Sequence, residues 1–251
     1  MSAQPQTTAD PADTADIVYP DSDDNPMADN TKQFRWIVTI KENLDVLFAD
    51  EPNVFVADDL LWYPVEGNNK VRQAPDVIMV AFGRPKGDRG SYRQWLEADI
   101  APQVVFEILS PGNRPGEMTR KALFYQRYGV EEYYLYDPDQ NELMGWHWQL
   151  AGPKRGVIEI NAEISDIQNW VSPRLGIRFQ LTEETLIIYS PTGDPFLTPV
   201  ELAQARDEAQ QQRDEAQQQR DEAQQQRDEA QQRAALLSDK LRELGIDPDS
   251  L

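Results

Sequence analysis

Between Val104 and Tyr136 the chain reads strand, helix, strand, and that order leaves few folds open. Val104-Val105-Phe106-Glu107-Ile108-Leu109 is a nearly continuous apolar run of strand length, the pattern of a strand buried on both faces. Glu132-Tyr133-Tyr134-Leu135-Tyr136 is a second such run, ended by Asp137-Pro138. A turn cluster, Pro111 to Gly116, separates the first run from a helix expected over 117–128. Glu117 suits the positive N-terminal end of that helix, and Gly129 suits the position just after its C-terminus. Two strands joined through a helix form a βαβ unit, which implies a parallel pair with a right-handed crossover.

The flanking sequence completes the pattern. Ile37, Ile40, Leu44, Leu47 and Phe48 recur at helical spacing and predict a helix over 36–48, closed by a turn at Asp50-Glu51-Pro52-Asn53. Short β-rich runs follow at 54–56 and 60–63. Val77 to Phe82 is another buried-type strand, and Asp58-Asp59 reads as a turn. Strands are expected at 142–150, 157–160, 177–181 and 185–189, as an antiparallel β extension of the same domain. The fold class is therefore α/β, with the core order α-β-β-β-α-β.

The last fifty residues obey a different rule. Arg-Asp-Glu-Ala-Gln-Gln-Gln begins at Arg206, Arg213 and Arg220 and recurs, altered, at Arg227, a period of seven. Leu202, Ala209, Ala216, Ala223, Ala230, Leu237 and Leu244 share one heptad position. Such a segment is a helix by propensity and period, about 65 Å long between Leu202 and Leu244. Its apolar seam is thin until Ala234, so a coiled coil with a copy of this chain would draw its firmest contacts from Leu236, Leu237, Leu241 and Leu244. The plainer alternative is a solvated single helix acting as a spacer.

Three segments result: an acidic leader over 1–30, a domain over 31–199 and a heptad-repeat helix over 200–251. The leader holds seven Asp and no Lys or Arg, lacks the features of a signal peptide, and reads as disordered. Apolar residues make up 39% of the chain, but no run approaches the eighteen needed to cross a bilayer, so a cytoplasmic protein with no membrane partner is expected. Absences then narrow the chemistry. There is no Cys, and the single His, His147, lies in an aromatic strand-like stretch with no nucleophile motif nearby. A Cys/His zinc site is excluded, and a His-based triad has little to build on. Carboxylates and Lys remain, the ingredients of an oxygen-ligated metal site. The net charge of −20 counts against tight nucleic-acid binding unless a cleft gathers local cations.

Three ionisable residues stand in apolar surroundings: Asp76 at the head of a buried-type strand, Glu107 inside another, and Lys121 on the helix between the parallel strands. Two carboxylates brought to one sheet edge repel unless a cation lies between them, and Mg²⁺ (or Mn²⁺) is the natural solution. A nearby Lys would orient water or stabilise the transition state. The plain readings are an acid satisfied by Arg or backbone donors, an Asp used for its turn, and a solvated Lys121 paired with Glu117 one turn earlier. The loop from Gly83 to Trp95 sets Arg84, Lys86, Arg89 and Arg93 against the single acid Asp88, with Tyr92 and Trp95 interleaved. It is a candidate for phosphate contact and base stacking, or else a solvated loop whose Trp packs on the core.

Four blocks, in order, carry a resemblance: Ala74-Pro75-Asp76-Val77; Val105 to Gly112; Arg120-Lys121-Ala122-Leu123-Phe124-Tyr125; and Tyr128 to Pro138. Together they resemble the Uma-two family of restriction endonuclease-like proteins, in the PD-(D/E)XK nuclease superfamily, over roughly Trp36 to Pro199. The resemblance implies a restriction-endonuclease-like core and Mg²⁺-dependent hydrolysis of phosphodiester bonds in DNA. Asp76 matches the motif's Asp and Glu107 its second acid, with the carbonyl of Ile108 as a further metal ligand. The superfamily's Lys would fall at Leu109; in this family it moves to the following helix, where Lys121 matches. Glu42 on the first helix is a looser match to an additional acid. Two other readings stand beside this one: a catalytically inactive nuclease-fold scaffold acting through its coiled coil, and a domain that binds a small ligand through Trp146 and Trp148.

Overall fold

The computed structural model describes residues 17–22, 28–73, 78–148 and 163–243. The elements run α1 (Thr31–Leu47), β1 (Val54–Asp58), β2 (Trp62–Tyr63), β3 (Ile78–Phe82), β4 (Tyr92–Arg93), a 3₁₀ turn (Gln94–Leu96), β5 (Val104–Ile108) and α2 (Pro115–Tyr128). They continue with β6 (Glu132–Asp137), β7 (Glu142–His147), β8 (Arg178–Leu181), β9 (Leu186–Tyr189) and α3 (Pro199–Glu243). With the two-residue strands set aside, the order is the expected α-β-β-β-α-β followed by added strands.

The main sheet has the order β1-β3-β5-β6-β7. β5 and β6 pair in parallel, with Glu107 opposite Leu135, and the other neighbours are antiparallel. The parallel pair follows from α2, which carries the chain back across the sheet between the two strands. Every residue of β5 is buried. Val104, Phe106 and Ile108 face one side, packed with Ile37, Ile40 and Leu44 of α1. Val105 faces the other, with Met118 and Tyr125 of α2.

Local chemistry sets the helix ends. Asn30 caps α1 by accepting from the backbone N–H groups of Lys32 and Gln33, so this helix starts five residues before the expected Trp36. The amphipathic pattern could not locate that start, because the first turn is mostly exposed. Pro115 opens α2, and Gly129 closes it at φ 104, a backbone region costly for any residue with a Cβ.

Several expected elements are placed differently. Among the described residues β2 pairs with β4 in a small sheet of its own, and the antiparallel β extension consists of β7 on the main sheet and a separate β8-β9 pair. β7 ends at His147; residues 149–150 and the strand expected at 157–160 lie outside the described residues. Part of the acidic leader is packed: Tyr19 sits 5.1 Å from the Tyr63 ring and 5.0 Å from Trp95, and Tyr63 donates to the carbonyl of Pro20. Its single Tyr gives that stretch enough apolar surface to dock despite its acids.

The chain divides into two compact units, Met1–Thr198 and Pro199–Leu251. In the second, α3 is a 45-residue helix whose described side chains are exposed except for the partly covered Leu202 and Ser238. No helix among the described residues is long and apolar enough to cross a membrane.

Candidate active site

The alternation of β5 sends Glu107 to the face covered by α2, where it is 2% exposed. On α2, Met118, Lys121 and Tyr125 recur at spacings of three and four and form its buried stripe. Lys121 thus occupies a core-facing position. Its ammonium donates to Oε2 of Glu107 at 2.9 Å, and the Tyr125 hydroxyl donates to Oε1 at 2.5 Å. A buried carboxylate without such donors would be strongly disfavoured. The solvated pairing of Lys121 with Glu117 is not what forms. The sequence signal for this was available: Lys121 lies three residues after Met118 and four before Tyr125, on the apolar stripe.

The same arrangement adds Tyr125, which residue spacing alone did not mark as a site residue. It also brings in Gln33 from α1. Gln33 is buried and donates through Nε2 to the carbonyl of Ile108 at 2.8 Å, while its Oε1 accepts from the N–H of Asp29 at 2.8 Å. A carbonyl has two lone pairs, and the bond from Gln33 takes one of those on Ile108. Just beyond, the Ser110 N–H donates to Oδ1 of Asn113 and its hydroxyl to Oδ2 of Asp29, fastening the C-terminal end of β5.

Glu42 does not join this group. It is exposed on α1, a helix that packs on the sheet face opposite Glu107, and it lies nine residues from Gln33, about 13 Å along the axis. The α1 side chain that reaches the end of β5 is the neutral Gln33, which can be buried at lower cost than a second carboxylate. Asp76 lies outside the described residues; β3 begins at Ile78, two residues later.

The loop cations all have partners within the chain. Arg84 and Arg89 both bind Glu97, at 2.8 and 2.6 Å, and Arg89 also lies 3.9 Å from the centre of the Phe55 ring. Lys86 donates to the carbonyls of Phe48 and Ala49 at the end of α1. Arg93 donates to Ser91 and to the carbonyl of Tyr19. Tyr92 is fully buried with its hydroxyl on the carbonyl of Ile100, and Trp95 packs with Tyr19, Leu61 and Tyr63. The loop is therefore built into the domain, its rings are packed, and its cations are engaged. Burial alone would raise the Glu97 carboxyl; the hydrogen bonds and charges of Arg89 and Arg84 outweigh that and hold it below the usual carboxylate range.

Beside the Glu107 cluster, Tyr133 of β6 is fully buried, and its hydroxyl has no hydrogen-bond partner among the described residues. Burial first, and the charge of Glu107 second, push its ionisation far up, so this hydroxyl stays protonated.

Comparison with known proteins bears on the same region. No curated protein matches the chain. Among solved structures it is similar to the crystal structure of "a putative nuclease belonging to DUF820" from Anabaena variabilis, at 15% identity and a TM-score of 0.37, over 55% of this chain and 70% of that one. The profile of the Uma2 family, described as "Putative restriction endonuclease", matches residues 26–164, which span α1 through β7 and include Asp76, Glu107 and Lys121. That match covers more than half of the sequence, and the chain belongs to the Uma2 family.

Proposed function

We propose that this protein is a metal-dependent nuclease that hydrolyses phosphodiester bonds in DNA at a centre built on Glu107 and Lys121. The observation that carries the reading is the buried contact between those two charges, one from a strand and one from the helix that follows it. A core assembled only for stability gains little from such a pair, because apolar residues of equal volume serve as well or better.

The donor chemistry suits Mg²⁺ or Mn²⁺. Among the described residues no three His, Cys, Asp or Glu gather, but Mg²⁺ needs only one or two carboxylates when waters and substrate phosphates complete its shell. Glu107, the Ile108 carbonyl and Asp76 would hold it, all oxygen donors of the kind that Mg²⁺ and Mn²⁺ take. When bound, the ion would make its water a better nucleophile and offset charge on the phosphate. Glu107 fixes the position, Tyr125 and Lys121 orient its two oxygens, and the Lys121 ammonium supplies positive charge to the phosphate oxygens.

The test is cleavage of plasmid and single-stranded DNA with Mg²⁺ or Mn²⁺ by the wild type and Glu107→Gln, with EDTA as control. Cleavage by the wild type alone, lost with EDTA, is the expected result. Full activity in Glu107→Gln rejects the site.

One observation favours a second reading, a non-catalytic scaffold: Arg84, Lys86, Arg89 and Arg93 are all engaged within the chain, which leaves the loop fewer cations for DNA. In either case we propose that α3 pairs with a second copy of the chain through its Leu and Ala positions.

A further inference from the structure

A cleft of about 1030 Å³ lies against α2 on the side of β6 and β7. It begins beside the candidate centre. Leu109 follows Glu107 by two residues on the same strand path, Leu135 is its partner across the parallel pair, and both line the cleft. Adjacent strand backbones are about 4.8 Å apart, so Leu135 on the cleft wall is the direct strand neighbour of Glu107.

Its floor is aromatic. The Tyr133 ring lies 5.2 Å from Trp146 at 24° and 6.1 Å from Trp148 at 10°, a stacked group along β6 and β7. Trp146 is half-buried and lines the cleft, so it offers ring surface to an occupant. Tyr133 lines it too and carries the unpartnered buried hydroxyl. Arg114, exposed at the start of α2, also lines the cleft, as do the carboxylates of Asp137 and Glu163. Those two acids disfavour a run of phosphates inside, whereas aromatic faces accept any base without regard to sequence.

We propose that this cleft takes one unstacked nucleobase of the strand being cut, next to the phosphate held at Glu107. This rests on the nuclease reading above. The volume is sufficient for a base with its sugar, since small-ligand sites occupy roughly 300–1,000 Å³. The base lies on Trp146, the Tyr133 hydroxyl meets its edge, and Arg114 contacts the adjoining phosphate. Substrates with unpaired nucleotides are then favoured over uniform duplex, because a paired base must first leave its stack.

The experiment uses the full chain with Ca²⁺ in place of Mg²⁺ and single-stranded oligonucleotides carrying one 2-aminopurine, or one abasic site, at successive positions. Binding is followed by anisotropy and stacking by probe fluorescence. The expected result is quenching at one position only, with about tenfold weaker binding when that position is abasic. Trp146→Leu removes the quenching. Leu123→Glu, a change at an exposed cleft residue that leaves the core intact, weakens binding several-fold. Binding that ignores the abasic site and both cleft variants overturns the pocket while leaving the nuclease reading in place. No binding of any oligonucleotide overturns the nuclease reading and this proposal together.

Discussion

Lys121 and Glu107 are each charged and each almost without solvent, at 4% and 2% exposure. Removing one charge takes a close ion-pair partner from the other while that other stays buried. Lys121→Met is therefore expected to cost about 3–5 kcal/mol, read from denaturant unfolding. The double variant Glu107→Leu with Lys121→Met removes both charges and is expected to regain most of that stability while showing no cleavage. A double variant that still cuts DNA would remove Glu107 from the mechanism. Tyr125→Phe deletes the donor to Oε1 and should cost roughly 1.5–3 kcal/mol, the range for a hydrogen bond to a charged group. Of these three residues, Glu107 and Lys121 were readable as polar intrusions in apolar patterns. Tyr125 was not, because a Tyr on a core-facing helix stripe is what burial alone produces.

At the scale of elements, Glu97 shows how the loop after β3 is held. The side chains of Arg84, Arg89 and Glu97 are only 11–17% exposed and join that loop to the 3₁₀ turn. The Glu97 carboxyl ionises below its ordinary value near 4.5 in the folded protein. Its contribution is thus fully present above that value and is lost as pH falls through the lower folded pKa. Glu97→Gln is expected to cost roughly 1.5–3 kcal/mol at pH 7, and the gap from wild type should close in strong acid. An unchanged gap between pH 7 and pH 3 contradicts the assignment. α3 is governed by different forces. Its Gln residues donate to acids one turn later, as Gln210 does to Asp214 and Gln217 to Asp221, both at 2.8 Å. Those bonds and the Ala, Glu and Arg content support a helix without a deep apolar seam.

On the scale of the whole chain, the end of the first unit is tied to its own first helix: Asn43 donates to the carbonyl of Leu197 and accepts from its N–H. A chain ending at Thr198 therefore keeps that unit's contacts and is expected to unfold at the same temperature as the full protein's main transition. If α3 joins copies, light scattering will give the shortened chain a smaller number of copies per particle. Equal numbers in both would remove the assembly role of α3. Charge is also organised at this scale. The leader carries −7, the middle from Thr31 to Val200 −7 and the tail −6, so no segment has a net positive charge to draw a duplex. That balance fits the proposed site, which grips a few nucleotides, better than one that wraps a long duplex.

By itself the sequence determined the order of the elements, the parallel pairing around α2, the helical tail and the family. The first three follow from periodicity, turn chemistry and local spacing, which are properties of neighbouring residues; the family follows from the resemblance of four sequence blocks. Only the tertiary structure decided which charges meet. Lys121 and Tyr125 reach Glu107, and Gln33 rather than Glu42 reaches Ile108, because two helices pack on opposite faces of one sheet. Arg84 and Arg89 turn to Glu97 because a partly buried carboxylate fixes its partners before any solvent ligand can. Such meetings depend on distances across the fold, and side chains far apart in sequence carry no local mark of them.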